Sequence, residues 1–437
     1  MMLGVAPAYA AELPEGCEGA MTEGDDTITC TKDLQKGAVI DALGGDDTIV
    51  IKGDVLEGAF VRGGAGNDKI TAYNVGRFVC PSTRKPGIGA DDLEGGTLDG
   101  GAGADEITVG GQDLPGECTK VLTRISQGGN VGRHAFVLGG AGDDVITVGS
   151  NGYVYQEDLD NKESASIAHG GHIGGGEGAD SITVGLVSLG EGPPSPDYED
   201  RPDGTYDGVY GGPGGDKISV ALVYGVGEIY GDNYEPKKGP SIPGAGSDTI
   251  DIKEMVGGNV FAGPGDDTVT GGNIGGTAKI WGDTGNDTIT AEALGLASGI
   301  SGDDGDDTLT ATLVNTDGDT HNGYVIGGNG DDTIKVTTLG SDSSVVRGDG
   351  RAGSTSPDDG KGKDTITVGT NNGGVFGGQD DDNIKIETNN YYVDGGEGAP
   401  DAKGDTKPDD NDHDTCVITE TGPKPNPGLK VLNCEKT

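Results

Sequence analysis

Aromatic residues are scarce, 4% of the chain with a single tryptophan, and apolar residues of every kind reach only 32%. A chain of 437 residues would ordinarily form two or three globular domains, but this composition cannot fill wide cores with large side chains. No apolar run approaches the roughly 18–20 residues that a helix needs to cross a bilayer. Cationic residues are also few. The 29 Lys and Arg stand against 74 Asp and Glu, for a formal charge of −45. Such a surface repels nucleic-acid phosphates and anionic membranes, so neither is expected as a partner. Cysteine occurs six times but never as Cys-x-x-Cys, which argues against a zinc or redox site. The chain lacks a Gly-x-Ser-x-Gly elbow and a His-Glu-x-x-His motif, and its five histidines are scattered apart from His169 and His172. With no clustered acid–base set, an enzyme is not expected.

Glycine, in contrast, occurs 88 times. Composition alone would suggest disorder, but repetition offers a way out, because short stacked units bury one thin continuous core. Alignment on Asp-x-(Ile/Val/Leu) finds Asp26-Thr-Ile28, Asp47-Thr-Ile49, Asp68-Lys-Ile70, Asp105-Glu-Ile107, Asp144-Val-Ile146, Asp180-Ser-Ile182 and Asp216-Lys-Ile218. The series continues through Asp248, Asp267, Asp287, Asp307, Asp332, Asp364 and Asp382, with a degenerate copy at Asp414-Thr-Cys416. From Asp248 to Asp307 the steps are 19, 20 and 20 residues, the length of one coil of two short strands and two turns.

Each copy places an aliphatic residue two positions before the glycines (Val61, Leu98, Val137, Val260, Ile280) and alternating Ile and Val after the aspartate (Ile107/Val109, Ile366/Val368). Period-two alternation turns these residues inward and the intervening Thr, Lys or Glu outward. The expected fold is all-β, a right-handed parallel β-roll or β-solenoid of about 14 coils, with two facing parallel sheets and one calcium-binding turn per coil. Insertions at 73–95, 110–133, 149–170 and 185–207 leave after an Ile-x-Val strand and are expected along one edge. Those at 232–242, 350–361 and 398–413 interrupt the Gly-Asp turn itself, so these turns are expected to be compromised as metal sites.

The turn carries the chemistry. In Gly63-Gly64-Ala65-Gly66-Asn67-Asp68, or Gly327-Gly328-Asn329-Gly330-Asp331-Asp332, glycines permit positive φ and bring carbonyls toward one point, and aspartate supplies charge. Calcium takes six to eight oxygen ligands, and two turns stacked ~4.8 Å apart can share an ion. Stacked carboxylates without cations would repel one another strongly. The turn resembles the haemolysin-type (RTX) nonapeptide of bacterial calcium-binding β-rolls, over about residues 24–396. That resemblance implies calcium-dependent folding, with Gly carbonyls and Asp carboxylates of adjacent coils as ligands. The ligand set it implies is Gly63, Gly64, Gly66, Asp68, Asp105, Asp143, Asp144, Asp180, Asp216, Asp248, Asp266, Asp267, Asp283, Asp287, Asp303, Asp306, Asp307, Asp331, Asp332 and Asp382. Asp382 fits less well because Asp380 replaces a glycine. With one motif per coil, a single row of ions is expected rather than two.

Residues 1–10, ending in Ala8-Tyr9-Ala10, read as the remnant of a secretory signal. Residues 11–36 read as an N-terminal cap with a first degenerate coil, 37–396 as the roll, and 397–437 as a C-terminal cap. The cysteines cluster as Cys17 with Cys30, Cys80 with Cys118, and Cys416 with Cys434, so disulfides and an oxidising compartment are expected. The leading expectation is a secreted, extracellular calcium-binding protein with a structural or adhesive role in a matrix, surface layer or filament. Calcium is the expected partner, with self-assembly or a cell-surface glycan or protein beside it, and Tyr153, Tyr155, Tyr198 and Tyr206 in the insertions are contact candidates. Two alternatives stand beside it. One is a polysaccharide-acting enzyme or enzyme accessory module. The other is an ice-binding protein using outward pairs such as Thr268/Thr270, Thr288/Thr290 and Thr308/Thr310.

Overall fold

The computed structural model describes residues 12–76, 95–110, 130–132, 135–151, 171–189, 208–232, 246–295, 297–314, 323–350, 360–396, 413–421 and 430–434. All regular structure in them is β, arranged as a parallel β-solenoid, and the chain divides into two compact units, Met1–Gly185 and Leu186–Thr437. Each coil contributes a strand before the Gly-Asp turn, called upstream, and one after it, called downstream.

In the first unit the downstream strands include Thr27–Cys30, Thr48–Val55, Lys69–Val75, Glu106–Val109 and Val145–Val148. They pair in parallel, and the register aligns Ile28, Ile49, Ile70, Ile107, Ile146 and Ile182 in one file. The upstream strands Val39–Asp41, Phe60–Ala65, Thr97–Ala102, Phe136–Ala141 and His172–Glu177 align Ile40, Val61, Leu98, Val137 and Ile173. All these side chains are fully buried. Slipping any strand by one residue would turn its aliphatic file outward, so burial fixes the register. One exception to parallel pairing is Cys17–Glu18, which lies antiparallel to Thr27–Cys30 and covers the edge of that first downstream strand.

The second unit repeats this plan. Ile218, Ile250, Val269, Ile289, Leu309, Ile334, Ile366 and Ile384 form its downstream file. Strands Lys217–Tyr230 and Thr249–Pro264 run through the corner opposite the Gly-Asp turn, so the downstream and upstream files are joined by continuous strands rather than standing as separate sheets. Gly225, Gly257 and Gly258 make that bend at φ of 71°, 95° and 86°, values that L side chains rarely adopt. The upstream strands carry a second file next to the buried Val209, Ile229, Val260 and Ile280. Tyr210, Tyr230, Phe261 and Trp281 occupy one register position on successive upstream strands and stack with centroids 4.7, 5.0 and 4.7 Å apart. The outward threonines align as Thr268, Thr288 and Thr308 beside Thr270, Thr290 and Thr310, until Lys335 interrupts the second file.

Cys17–Cys30 and Cys416–Cys434 are disulfide-bonded; Cys80 and Cys118 lie outside the described residues. Thr415–Thr421 pairs in parallel with Asn383–Asn389, and Lys430–Leu432 with Tyr392–Asp394, so the described part of the C-terminal segment forms a further coil.

Candidate cation site

The last two positions of each Gly-Asp turn form two hydrogen-bonded ladders that run in opposite directions. In the inner ladder, each aspartate amide donates to Oδ1 of the corresponding aspartate in the next coil. In the first unit Asp47 donates to Asp68, Asp68 to Asp105, Asp105 to Asp144 and Asp144 to Asp180, at 2.7–2.8 Å. In the second unit the series runs Asp216, Asp248, Asp267, Asp287, Asp307, Asp332, Asp364, Asp382 and Asp414, at 2.7–2.9 Å. In the outer ladder the carboxylate or amide oxygen of one coil accepts from the next coil's backbone. Ala179 donates to Asp143, Asn286 to Asp266, Asp306 to Asn286, Asp331 to Asp306 and Lys363 to Asp331.

The outer residues are exposed, whereas the inner aspartates are at most 2% exposed from Asp47 to Asp382. The second carboxylate oxygen of the inner row has a different fate from the first. Oδ2 of Asp47, Asp68, Asp105 and Asp144, and of Asp248, Asp267, Asp287, Asp307, Asp332, Asp364 and Asp382, is buried without a hydrogen-bond partner. A buried, unpartnered carboxylate oxygen is costly, so the group must take up a proton or a cation. Burial is the leading cause of raised pKa values along the row. It pushes Asp105 up to about 6, Asp267 and Asp307 to about 7, Asp287 and Asp364 to about 8, and Asp248 and Asp332 to about 9. Neighbouring carboxylates raise them further, and the amide bonded to Oδ1 opposes the shift.

The glycines make this row possible by leaving space. A Cβ on Gly63 would lie 2.3 Å from Oδ2 of Asp68 and 2.6 Å from the Gly100 carbonyl oxygen of the next coil. Gly282, Gly302 and Gly327 leave the same gap beside Asp287, Asp307 and Asp332. At the second and fourth positions the carbonyls face the other way along the stack. A Cβ on Gly101 would meet the Gly64 oxygen at 2.1 Å, and one on Gly103 would meet the Gly66 oxygen at 1.8 Å. Carbonyl oxygens from both coils therefore face the seam between turns, and those of the first-position glycines lie beside the unpartnered carboxylate oxygens. Hard oxygen donors with uncompensated negative charge fit calcium. Among the described residues no three His, Cys, Asp or Glu side chains converge to hold a metal, so backbone carbonyls would have to complete any shell.

The sequence-predicted aspartate ligands thus separate into three sets. Asp68, Asp105, Asp144, Asp180, Asp216, Asp248, Asp267, Asp287, Asp307, Asp332 and Asp382 lie in the inner ladder. Asp143, Asp266, Asp306 and Asp331 lie on the outer ladder. Asp283 and Asp303 hold the second turn position in place of glycine, at φ of 77° and 76°. Asp47 and Asp364, absent from the expected ligand set, belong fully to the inner row. The interrupted turns keep their inner aspartates, because Asp248, Asp364 and Asp414 still accept from the preceding coil. Two further buried carboxylates, Asp232 and Asp349, sit at such interruptions. Their signal is a Gly-Asp dipeptide where the regular turn has Gly-Gly. Of the histidine pair, His172 is buried against Phe136 with ring centroids 6.0 Å apart. His169 and the four insertion tyrosines lie outside the described residues. No family model, curated protein or solved structure matches the chain.

Proposed function

We propose that this chain is a calcium-binding β-solenoid of the bacterial exterior, folded around ions held at its Gly-Asp turns and serving a structural or adhesive role. The observation that carries this reading is the row of buried, unpartnered aspartate Oδ2 atoms beside glycine carbonyls of the neighbouring turn. Asp68, Asp105 and Asp144 would hold ions in the first unit, and Asp287, Asp307 and Asp332 in the second, with the glycine carbonyls of adjacent turns completing the coordination. A bound divalent ion supplies the positive charge that the row lacks. The formal charge of −45 supplies the long-range attraction for cations. The disulfides Cys17–Cys30 and Cys416–Cys434 suit an oxidising compartment, and extracellular calcium modules work at affinities of about 10⁻⁴–10⁻³ M.

Calorimetric titration of the decalcified chain tests this directly. Several calcium ions per chain are expected to bind, and the double substitution Asp287→Asn with Asp307→Asn is expected to reduce the number. Magnesium is expected to bind far more weakly, because it sheds water reluctantly and demands octahedral geometry. A wild-type chain that takes up no calcium while retaining its fold would exclude the proposal.

A further inference from the structure

The turn interrupted after residue 232 carries a carboxylate that regular turns lack. Gly231-Asp232 replaces the Gly-Gly pair, and Asp232 is 3% exposed with neither Oδ1 nor Oδ2 hydrogen-bonded. Aspartate at this position does not always behave so. Asp283 and Asp303 are half-buried and take positive φ, whereas Asp232 does not take positive φ and tucks its side chain inward. Space for it comes from the next coil, where Gly263 stands at the corresponding position. A Cβ there would lie 2.8 Å from Oδ2 of Asp232.

The surroundings make this carboxylate expensive as an isolated anion. Burial raises its pKa to about 7, helped by the charges of Asp267 and Asp216, and the Gly246 amide offsets part of the cost without completing a hydrogen bond. In turn Asp232 is the foremost neighbouring charge acting on Asp248, whose Oδ2 is also unpartnered. Asp349 makes an instructive contrast. It packs the same way against Gly378, but its Oδ2 accepts the Gln379 amide at 2.5 Å.

The geometry points to Asp232 as an added carboxylate ligand for a hard divalent cation between the turns that end at Asp248 and Asp267, making this the tightest cation site of the second unit. The inference rests on the calcium reading above and extends it. An interruption that breaks the spacing of the motif thereby adds a ligand, since a second carboxylate strengthens a calcium site through charge.

The test compares wild type, Asp232→Asn and Asp349→Asn by calcium titration at pH 8, and by thermal unfolding in chelator at pH 5, where protons keep the metal-free chain folded, and in saturating calcium at pH 8. Asp232→Asn is expected to weaken the tightest binding step by about tenfold or more, with Asp349→Asn leaving that step in place. The nearly isosteric amide needs no proton uptake on folding, so Asp232→Asn is expected to raise the melting temperature in chelator and lower it in calcium. That reversal of sign separates a ligand from a merely strained carboxylate. An unchanged tightest step, or a higher melting temperature in both conditions, would overturn the proposal while leaving the general calcium row intact. A wild-type chain that binds no calcium would defeat both.

Discussion

Freed of calcium at pH 8, the chain is expected to lose most of its β-structure, and to regain it at pH 5 with no metal added. The inner aspartates supply the reason. Their folded pKa values are raised, from about 6 at Asp47, Asp105 and Asp180 to about 9 at Asp248 and Asp332 and about 10 at Asp382, against about 4 for an unfolded aspartate. A carboxyl whose folded pKa lies above its unfolded one binds protons more tightly in the folded state. Its contribution is complete below pH 4 and is lost as pH rises through about 6 to 10. Protons and calcium thus compete for the same oxygens, and calcium affinity should fall as pH drops through that range. Far-UV circular dichroism in three conditions decides the matter: decalcified at pH 8, calcium-loaded at pH 8, and decalcified at pH 5. A decalcified chain with equal β-content at pH 5 and pH 8 would show that neither ligand is needed. A chain more disordered at pH 5 than at pH 8 would mean that protonation of the row opposes folding, contrary to the direction of these shifts.

The second large effect is steric. Gly285→Ala would place a Cβ 1.7 Å from the Gly265 carbonyl oxygen, at a backbone φ of +127°. Neither the turn nor the stacked carbonyl can yield without opening the seam between coils. The expected loss is on the order of 4 kcal/mol, a fall in melting temperature of roughly 10 °C. Gly275→Ala is the control. Its nearest neighbour would be the Met255 oxygen at 3.7 Å with no strained φ, so a change within about 0.5 kcal/mol is expected. Thermal unfolding in saturating calcium measures both. Equal losses for the two variants would remove the argument that turn glycines are fixed by contact with the neighbouring coil.

Much of this architecture was legible in the repeat. Period-two aliphatics such as Ile107 and Val109 name the core, and the recurring Asp-x-Ile names the inner row, because both depend on local chemistry repeated at one pitch. The difference between paired acids such as Asp306 and Asp307 was not legible. Adjacent carboxylates look equivalent until the turn geometry sends one outward to accept from the following coil and the other inward to accept from the preceding one. Asp232 was hidden for a related reason. An inserted segment breaks the spacing that defines the motif, while the neighbouring Gly263 that makes room for its side chain lies 31 residues further on (263 minus 232). The stacked Tyr210, Tyr230, Phe261 and Trp281 were equally obscure, since unequal insertions conceal their common register.

The inner ladder has one more consequence, for how such a chain changes over generations. Asp267, Asp287 and Asp307 each bond to the coils on either side with the same atoms and nearly the same distance, 2.7–2.8 Å. Thr268, Thr288 and Thr308 follow them in matching register. Excising residues 268–287 would bring the Asp267 amide to Asp307 and recreate the junction it removed. Copy number in this stretch is therefore a soft character. Recombination between repeats can lengthen or shorten the protein without inventing a new interface, and selection can set its reach independently of its chemistry.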